Sequence, residues 1–263
     1  MENKAKHNKN KLISLCILLG VCVGGMGFFG ISLLREMHEV GQGQAFYASL
    51  SVDFKQRLPQ PAQRLPGAEP VAAEAFVPFV DFDELREVFP NIVGWIQSEG
   101  TVINYPIVQA EDNDFYLYHL PDGSRHAMGS IFLDYRNAAD FSDRNIVIYG
   151  HDMRSGDKFG SFRHYRDQDY FERHHSMFVF TPYRNYELML VAGYVLDSAQ
   201  EVPPMWFRDA MDFDEYMADI LRRSIFQSDV VANFGDRLVF LATCTPTGSI
   251  DERLIIVGVL AEI

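Results

Sequence analysis

Three side chains suited to acyl chemistry stand at places where separate elements could bring them together: His151, Cys244 and Arg253. A cysteine catalyst needs a thiolate to attack a carbonyl, a group that carries protons, and a donor or charge that holds the oxyanion of the tetrahedral intermediate. Cys244 ends the apolar run "RLVFLATC" and precedes the turn-rich "TPTGS"; His151 follows "RNIVIYG", 93 residues upstream. Both stand where a strand leaves the core, a place held by rigid scaffold yet open to substrate. Arg253 opens the next run, "RLIIVGVL", nine residues after the cysteine. Across a loop it can return near the thiol, and its forked, permanently charged guanidinium suits a carbonyl oxygen. Each residue also has a plainer reading: Cys244 as a buried thiol, half of a disulfide or a metal ligand, His151 as a turn histidine, Arg253 as a strand-edge charge. Spacing alone names no reaction.

The elements that must position these residues are mostly strands. "NIVGWIQ", "VINYPIV", "GSIFLD", "RNIVIYG", "MFVFTP", "YELMLVAGYVL", "RLVFLATC" and "RLIIVGVL" are short, rich in Ile, Val, Phe and Tyr, and bounded by turn residues, which predicts eight strands in a closed barrel or sandwich. "VDFDELREVF" reads as a short helix. Between the sixth and seventh strands, Phe213, Tyr216, Met217, Ile220, Leu221, Ser224 and Ile225 recur at helical spacing, with Asp212 and Glu215 as a capping-box-like start. The fold class expected is mostly β with inserted helices.

Upstream, "LISLCILLGVCVGGMGFFGISLL" (Leu12 to Leu34) runs 23 residues without a charge or proline, long enough for a transmembrane anchor and longer than the core of a cleaved signal. Residues 1–11 carry four lysines against Glu2, so the positive-inside rule puts this tail in the cytoplasm and the rest outside the cell. Residues 35–75, with "GQGQ" and "LPQPAQRLPGAEP", read as an extracellular stalk with some helix around Phe46 to Leu58; 76–263 has the composition of one packed domain. Cys16 and Cys22 fall inside the span, so Cys244 has no intramolecular disulfide partner in the exported part.

The chain of 263 residues has a net charge of −13, and −16 beyond its basic tail, which argues against nucleic acid as a partner. His164, His174 and His175 match no closed zinc pattern and read as surface histidines. Tyr116, Tyr118 and His119 read first as packing beneath a loop, with a groove lining as the alternative.

"YGHDM", "LATCTPTG" and "DERLIIVG" together resemble the three signatures of sortases, membrane-anchored cysteine transpeptidases of Gram-positive surfaces. The text "VDFDELREVFPNIVGWIQSEGTVINYPIVQAEDNDFYLYH" and "GSIFLDYRN", with the long helix between strands six and seven, resembles class B in particular. The likeness runs from about Val80 to Leu260; Leu241, Ala242 and Thr243 depart from the Thr-Leu-Ser-Thr more usual before the cysteine. It implies an eight-stranded sortase-type β-barrel in which Cys244 attacks the carbonyl of an NPxTN-like or SPxTG-like sorting motif and forms a thioacyl enzyme. His151 would shuttle protons and Arg253 would hold the oxyanion or the substrate backbone. The acceptor would be an amine of peptidoglycan or its precursor, or a pilin lysine, and no cofactor or metal is required. A membrane-tethered cysteine peptidase and a non-catalytic binding module on the same fold are the competing readings.

Overall fold

The computed structural model describes residues 2–53, 80–196, 202–244 and 253–263. Most of the expected stalk and the "TPTGS" turn with Asp251 and Glu252 lie outside these residues. The chain divides into two units, Met1–Ala45 and Phe46–Ile263. The first lies within helix α1 (Glu2–Asp53), along which Val23, Met26, Phe28, Phe29, Ile31 and Leu34 are exposed. Among the described residues no helix is long and apolar enough to cross a membrane. Side chains 12–18 and 21 of the expected Leu12–Leu34 span lie outside those described.

In the second unit all eight expected strands form: β1 (Ile92–Gln97), β2 (Asn104–Val108), β3 (Ile131–Leu133), β4 (Asn145–His151), β5 (Ser176–Phe180), β6 (Asn185–Leu196), β7 (Leu238–Cys244) and β8 (Arg253–Glu262). They close into a barrel in the order β1-β2-β3-β4-β7-β8-β6-β5, with β5 returning to β1. Closure decides between the barrel and sandwich expectations, and it leaves no free sheet edge. Two pairings, β2 with β3 and β4 with β7, are parallel; the others are antiparallel. Trp95, Ile107, Ile148, Leu188, Phe240 and Ile256 are fully buried in the core. Each such side chain contributes about 1.5–3 kcal/mol relative to exposure.

The helices differ from expectation in their ends. Helix α2 (Phe82–Val88) is capped by Asp81, whose carboxylate accepts from Glu84 N at 3.1 Å. A 3-10 segment over Phe159–Arg166 and a short α3 (Gln168–Arg173) fill "FGSFRHYRDQDYFER", where no element was expected. Helix α4 covers Ala210–Arg222 and starts on Asp209, not Asp212: Asp209 Oδ1 accepts from Asp212 N at 2.9 Å, while Asp212 sits in the first turn and binds Arg208. Ser224 and Ile225 keep the apolar spacing but leave the helix, because both are taken by β6: Ile225 N donates to Gly193 O at 2.7 Å and Ser224 Oγ accepts from Gly193 N at 3.1 Å. Phe213, Met217 and Ile220 form the buried stripe of α4. At the start of the unit, Tyr47 and Leu50 on the last turns of α1 are buried in the barrel's core cluster.

Candidate active site

His151 and Cys244 are the last residues of the two parallel strands β4 and β7. These strands pair without a break from Asn145↔Leu238 to His151↔Cys244, so the two Cα atoms are direct register partners. A parallel ladder of seven pairs fixes the two positions rigidly against each other. On the other side of β7, the antiparallel ladder with β8 is recorded as far as Ala242↔Ile255, and Leu254 N donates to Thr243 Oγ1 at 2.9 Å just beyond it. Continued in the same register, Cys244 falls opposite Arg253, a half-buried residue that also pairs with Leu196 of β6. The backbone therefore gathers all three sequence candidates at one end of neighbouring strands, with β7 in the middle. The side chain of Cys244 lies outside those described.

His151 is only 3% exposed, and its Nε2 stands 2.5 Å from the carbonyl oxygen of Leu117. A carbonyl can only accept, so this contact puts a proton on Nε2 in either charge state of the ring. Leu117 belongs to a 3-10 turn, Phe115–Leu117, begun by Asp112, whose Oδ1 accepts from Asp114 N and Phe115 N at 2.9 and 2.8 Å. Behind the turn lies Gly129, with φ +53°; a Cβ there would collide with the Leu117 carbonyl that holds the histidine. Tyr116 and Tyr118 part ways: Tyr116 is buried, whereas Tyr118 is 39% exposed with its ring centroid 6.3 Å from that of His151. Tyr118 is thus the solvent-facing member of the pair. His119 stacks on Phe115, centroids 4.0 Å apart.

Beneath this wall is a polar network that the sequence reading missed. Asp134, in "FLDYRN" after β3, has a side chain with no exposure and binds five donors: Arg136 N, Nε and Nη2 at 2.9, 2.8 and 2.7 Å, Asn113 Nδ2 at 3.0 Å and Tyr149 Oη at 3.1 Å. It ties the 112–118 segment to β4 two residues before His151. Burial works against the charged carboxylate, but the Arg136 and Asn113 bonds outweigh it and hold the Asp134 pKa below its ordinary value. A depressed carboxylate stabilises the fold above its unfolded pKa, near 3.9, and that contribution is lost as pH falls through the native value. Asp134→Asn is therefore expected to lower the unfolding free energy by roughly 3 kcal/mol at pH 7, since it leaves buried donors poorly matched, with a smaller deficit at pH 3. Denaturant titrations at the two pH values check this.

The three further histidines are spread out. His174 Nδ1 lies 3.0 Å from Glu99 O, His175 Nδ1 3.0 Å from Glu172 O, and His164 packs beside Tyr170. Among the described residues no group of three or more His, Cys, Asp or Glu could hold a metal ion. One small apolar recess, lined by Trp206, Phe207, Phe213, Phe234, Arg144, Asn145 and Asp236, lies where β4 begins, at the opposite end of that strand from His151.

Comparison with known proteins identifies the family. The sortase domain family model matches residues 96–261. The chain is 35% identical over 182 residues to sortase B of Listeria monocytogenes, covering 68% of this chain and 74% of that protein. It is 25% identical over 236 residues to sortase B of Staphylococcus aureus, covering 89% and 91%. Among solved structures, the S. aureus sortase B–substrate complex superposes with TM-score 0.66 at 28% identity, covering 69% of this chain and 85% of that one. Sortase B from Bacillus anthracis in complex with AAEK1 gives 0.70 at 27% identity, covering 86% and 100%. Barrel fold and sequence agree over most of the second unit, and the chain belongs to the sortase family of cysteine transpeptidases, in its class B.

Proposed function

We propose that Cys244 is the nucleophile, His151 the proton carrier and Arg253 the oxyanion or backbone holder of a transpeptidase that cleaves a C-terminal sorting motif, NPxTN-like or SPxTG-like. The observation that carries this reading is the register that sets His151 beside Cys244 and leads Arg253 back to the same end of β7. Attack of the thiolate on the motif's Thr carbonyl gives a tetrahedral intermediate, whose collapse expels the downstream amine with a proton from the imidazolium. With Nε2 held by Leu117, Nδ1 is the nitrogen that gives and regains this proton. An acceptor amine, from peptidoglycan or a pilin lysine, then attacks the thioester as His151 takes its proton.

The polypeptide is held at the outer face of the cell membrane by the uncharged 23-residue stretch Leu12 to Leu34, with the basic tail inside. Exposed apolar side chains on α1 from Leu19 to Leu34 support this. A surface ligase tethered there meets secreted substrates as they emerge.

Incubation with sorting-motif peptides and an amine such as triglycine, read by mass spectrometry, is expected to give an acyl adduct on Cys244 and an amine-capped product. Cleavage with no incorporation of the amine makes the protein a peptidase; no adduct with any such peptide on folded protein favours a binding module. Arg253→Lys keeps the charge but loses the fork, and is expected to lower kcat by about 10²-fold with less change in KM, measured with the same peptide.

A further inference from the structure

Lys158 is fully buried, carries a backbone φ of +53°, and makes no hydrogen bond through Nζ among the described residues. Its Nζ lies 3.2 Å from the centroid of the Tyr47 ring, on α1, and 4.2 Å from that of Tyr105, on β2. The charged or polar groups around it are these two phenols and Asp157, the preceding residue; the Tyr105 hydroxyl also accepts from Lys158 N at 3.3 Å. Burial pushes the amine well below its ordinary range, while two π faces favour the ammonium. A glycine would meet this backbone conformation without strain; the lysine meets it with its amine enclosed by the two rings.

That side chain ends the loop that starts at His151. Residues 152–158 are closed by an antiparallel bridge, Asp152↔Lys158, and braced by Arg163, whose Nη2 donates to Asp152 Oδ1 at 2.7 Å and Met153 O at 2.9 Å. Tyr47 serves the opposite flank as well. Its hydroxyl donates to Gly129 O at 2.7 Å and lies 3.3 Å from Ser130 Oγ, and Ser130 in turn donates to Tyr116 O and His119 O, both at 2.8 Å. Those carbonyls flank Leu117, the residue that holds Nε2 of His151. The loop leaving His151 and the turn gripping its ring thus converge on one tyrosine.

We propose that Lys158, clamped between the ring faces of Tyr47 and Tyr105, is a positioning residue for His151, and that the last turns of α1 are by this route part of the catalytic apparatus. The proposal rests on His151 being the proton carrier. Lys158 does not touch the reacting atoms; it fixes the end of the loop after His151, which bridges back to Asp152, and through that bridge the imidazole's orientation. Misplacement of a catalytic group by about 1 Å costs on the order of 10²-fold in rate.

The test uses the full-length chain in detergent with three readouts: kcat and KM for a sorting-motif peptide, the pH profile of kcat/KM, and the NMR titration of the His151 imidazole. Lys158→Met keeps the unbranched stem and removes the amine. It is expected to lower kcat by about 10–100-fold with KM within about twofold, and to displace the limb of the pH profile and the NMR midpoint of His151 together. Lys158→Gly, which relieves the backbone, is expected to behave in the same way. Tyr105→Leu removes one face only and moves each readout part of the way, so it carries the test if Lys158→Met does not fold. A folded variant of either kind with wild-type kcat, pH profile and His151 titration overturns the proposal. If the wild-type protein transfers no acyl group while the His151 titration still moves in Lys158→Met, the clamp stands and the proton-carrier reading falls.

Discussion

Cys244→Ala is expected to abolish the acyl adduct and to lower acyl transfer by at least about 10⁴-fold, because the proposed covalent step runs through this thiol. Position 244 ends β7 in register with His151, and alanine is compatible with an extended strand end, so the melting temperature should move by only a few degrees. Peptide binding should survive, since the Tyr118 ring and the Arg253 position do not depend on the thiol. Together, these outcomes separate chemistry from folding: intact melting and binding with no adduct identifies the nucleophile. Retained transfer by the alanine variant assigns the reaction to another residue and removes the basis of the proposed mechanism.

The second large effect belongs to His151. His151→Gln is expected to reduce kcat by about 10²–10⁴-fold, the range general acid–base catalysis supplies. A glutamine amide can still donate to the Leu117 carbonyl that now receives Nε2, which preserves the local packing while removing the exchangeable proton. The pH profile of the residual activity should lose the limb contributed by the imidazole and keep any limb of the thiol. A pre-cleaved thioester substrate mimic with a better leaving group should recover part of the loss in acylation, because a weaker base departs without a proton. Unchanged pH dependence in the variant means the proton moves elsewhere.

Much of this site was legible in the chain because its residues lie at strand ends, and strand ends are marked by where apolar runs stop. "RLVFLATC" announces its own limit, and β7 ends at Cys244 as expected, whereas β4 runs on past "RNIVIYG" to include His151, which the sequence places beyond the strand end. Which strands pair was not legible: period-2 patterning states that a residue is in a strand, not which neighbour it has, and the β4–β7 pairing joins segments with two strands, two α-helices and a 3-10 segment between them. Burial of charged residues was equally hidden. Asp134 closes the expected strand "GSIFLD" and Lys158 lies in "SGDKFG", where no element was expected, yet both are buried because partners distant in sequence, Tyr149 for one and Tyr47 for the other, enclose them. The Asp-x-Arg spacing at 134 and 136 was the one local hint, since a carboxylate and a guanidinium two residues apart can close a bidentate pair across a turn. Tyr47 and Leu50 lie in the part of the expected stalk that reads as helix, Phe46 to Leu58, and only their burial reveals that the folded unit begins at Phe46.

The parallel pairing of β4 with β7 also bears on when a reactive centre comes into being during folding. Local hairpins such as β5–β6 can close early, because few residues separate their strands. The β4–β7 ladder must close a loop of some ninety residues containing β5, β6 and α4, and such non-local pairing is slow to form. Cys244 therefore meets His151 only as the barrel shuts. A refolding chain carries its thiol unassisted until that moment, so acquisition of activity during refolding should lag the appearance of strand structure and coincide with the burial of Trp95 in the closed core.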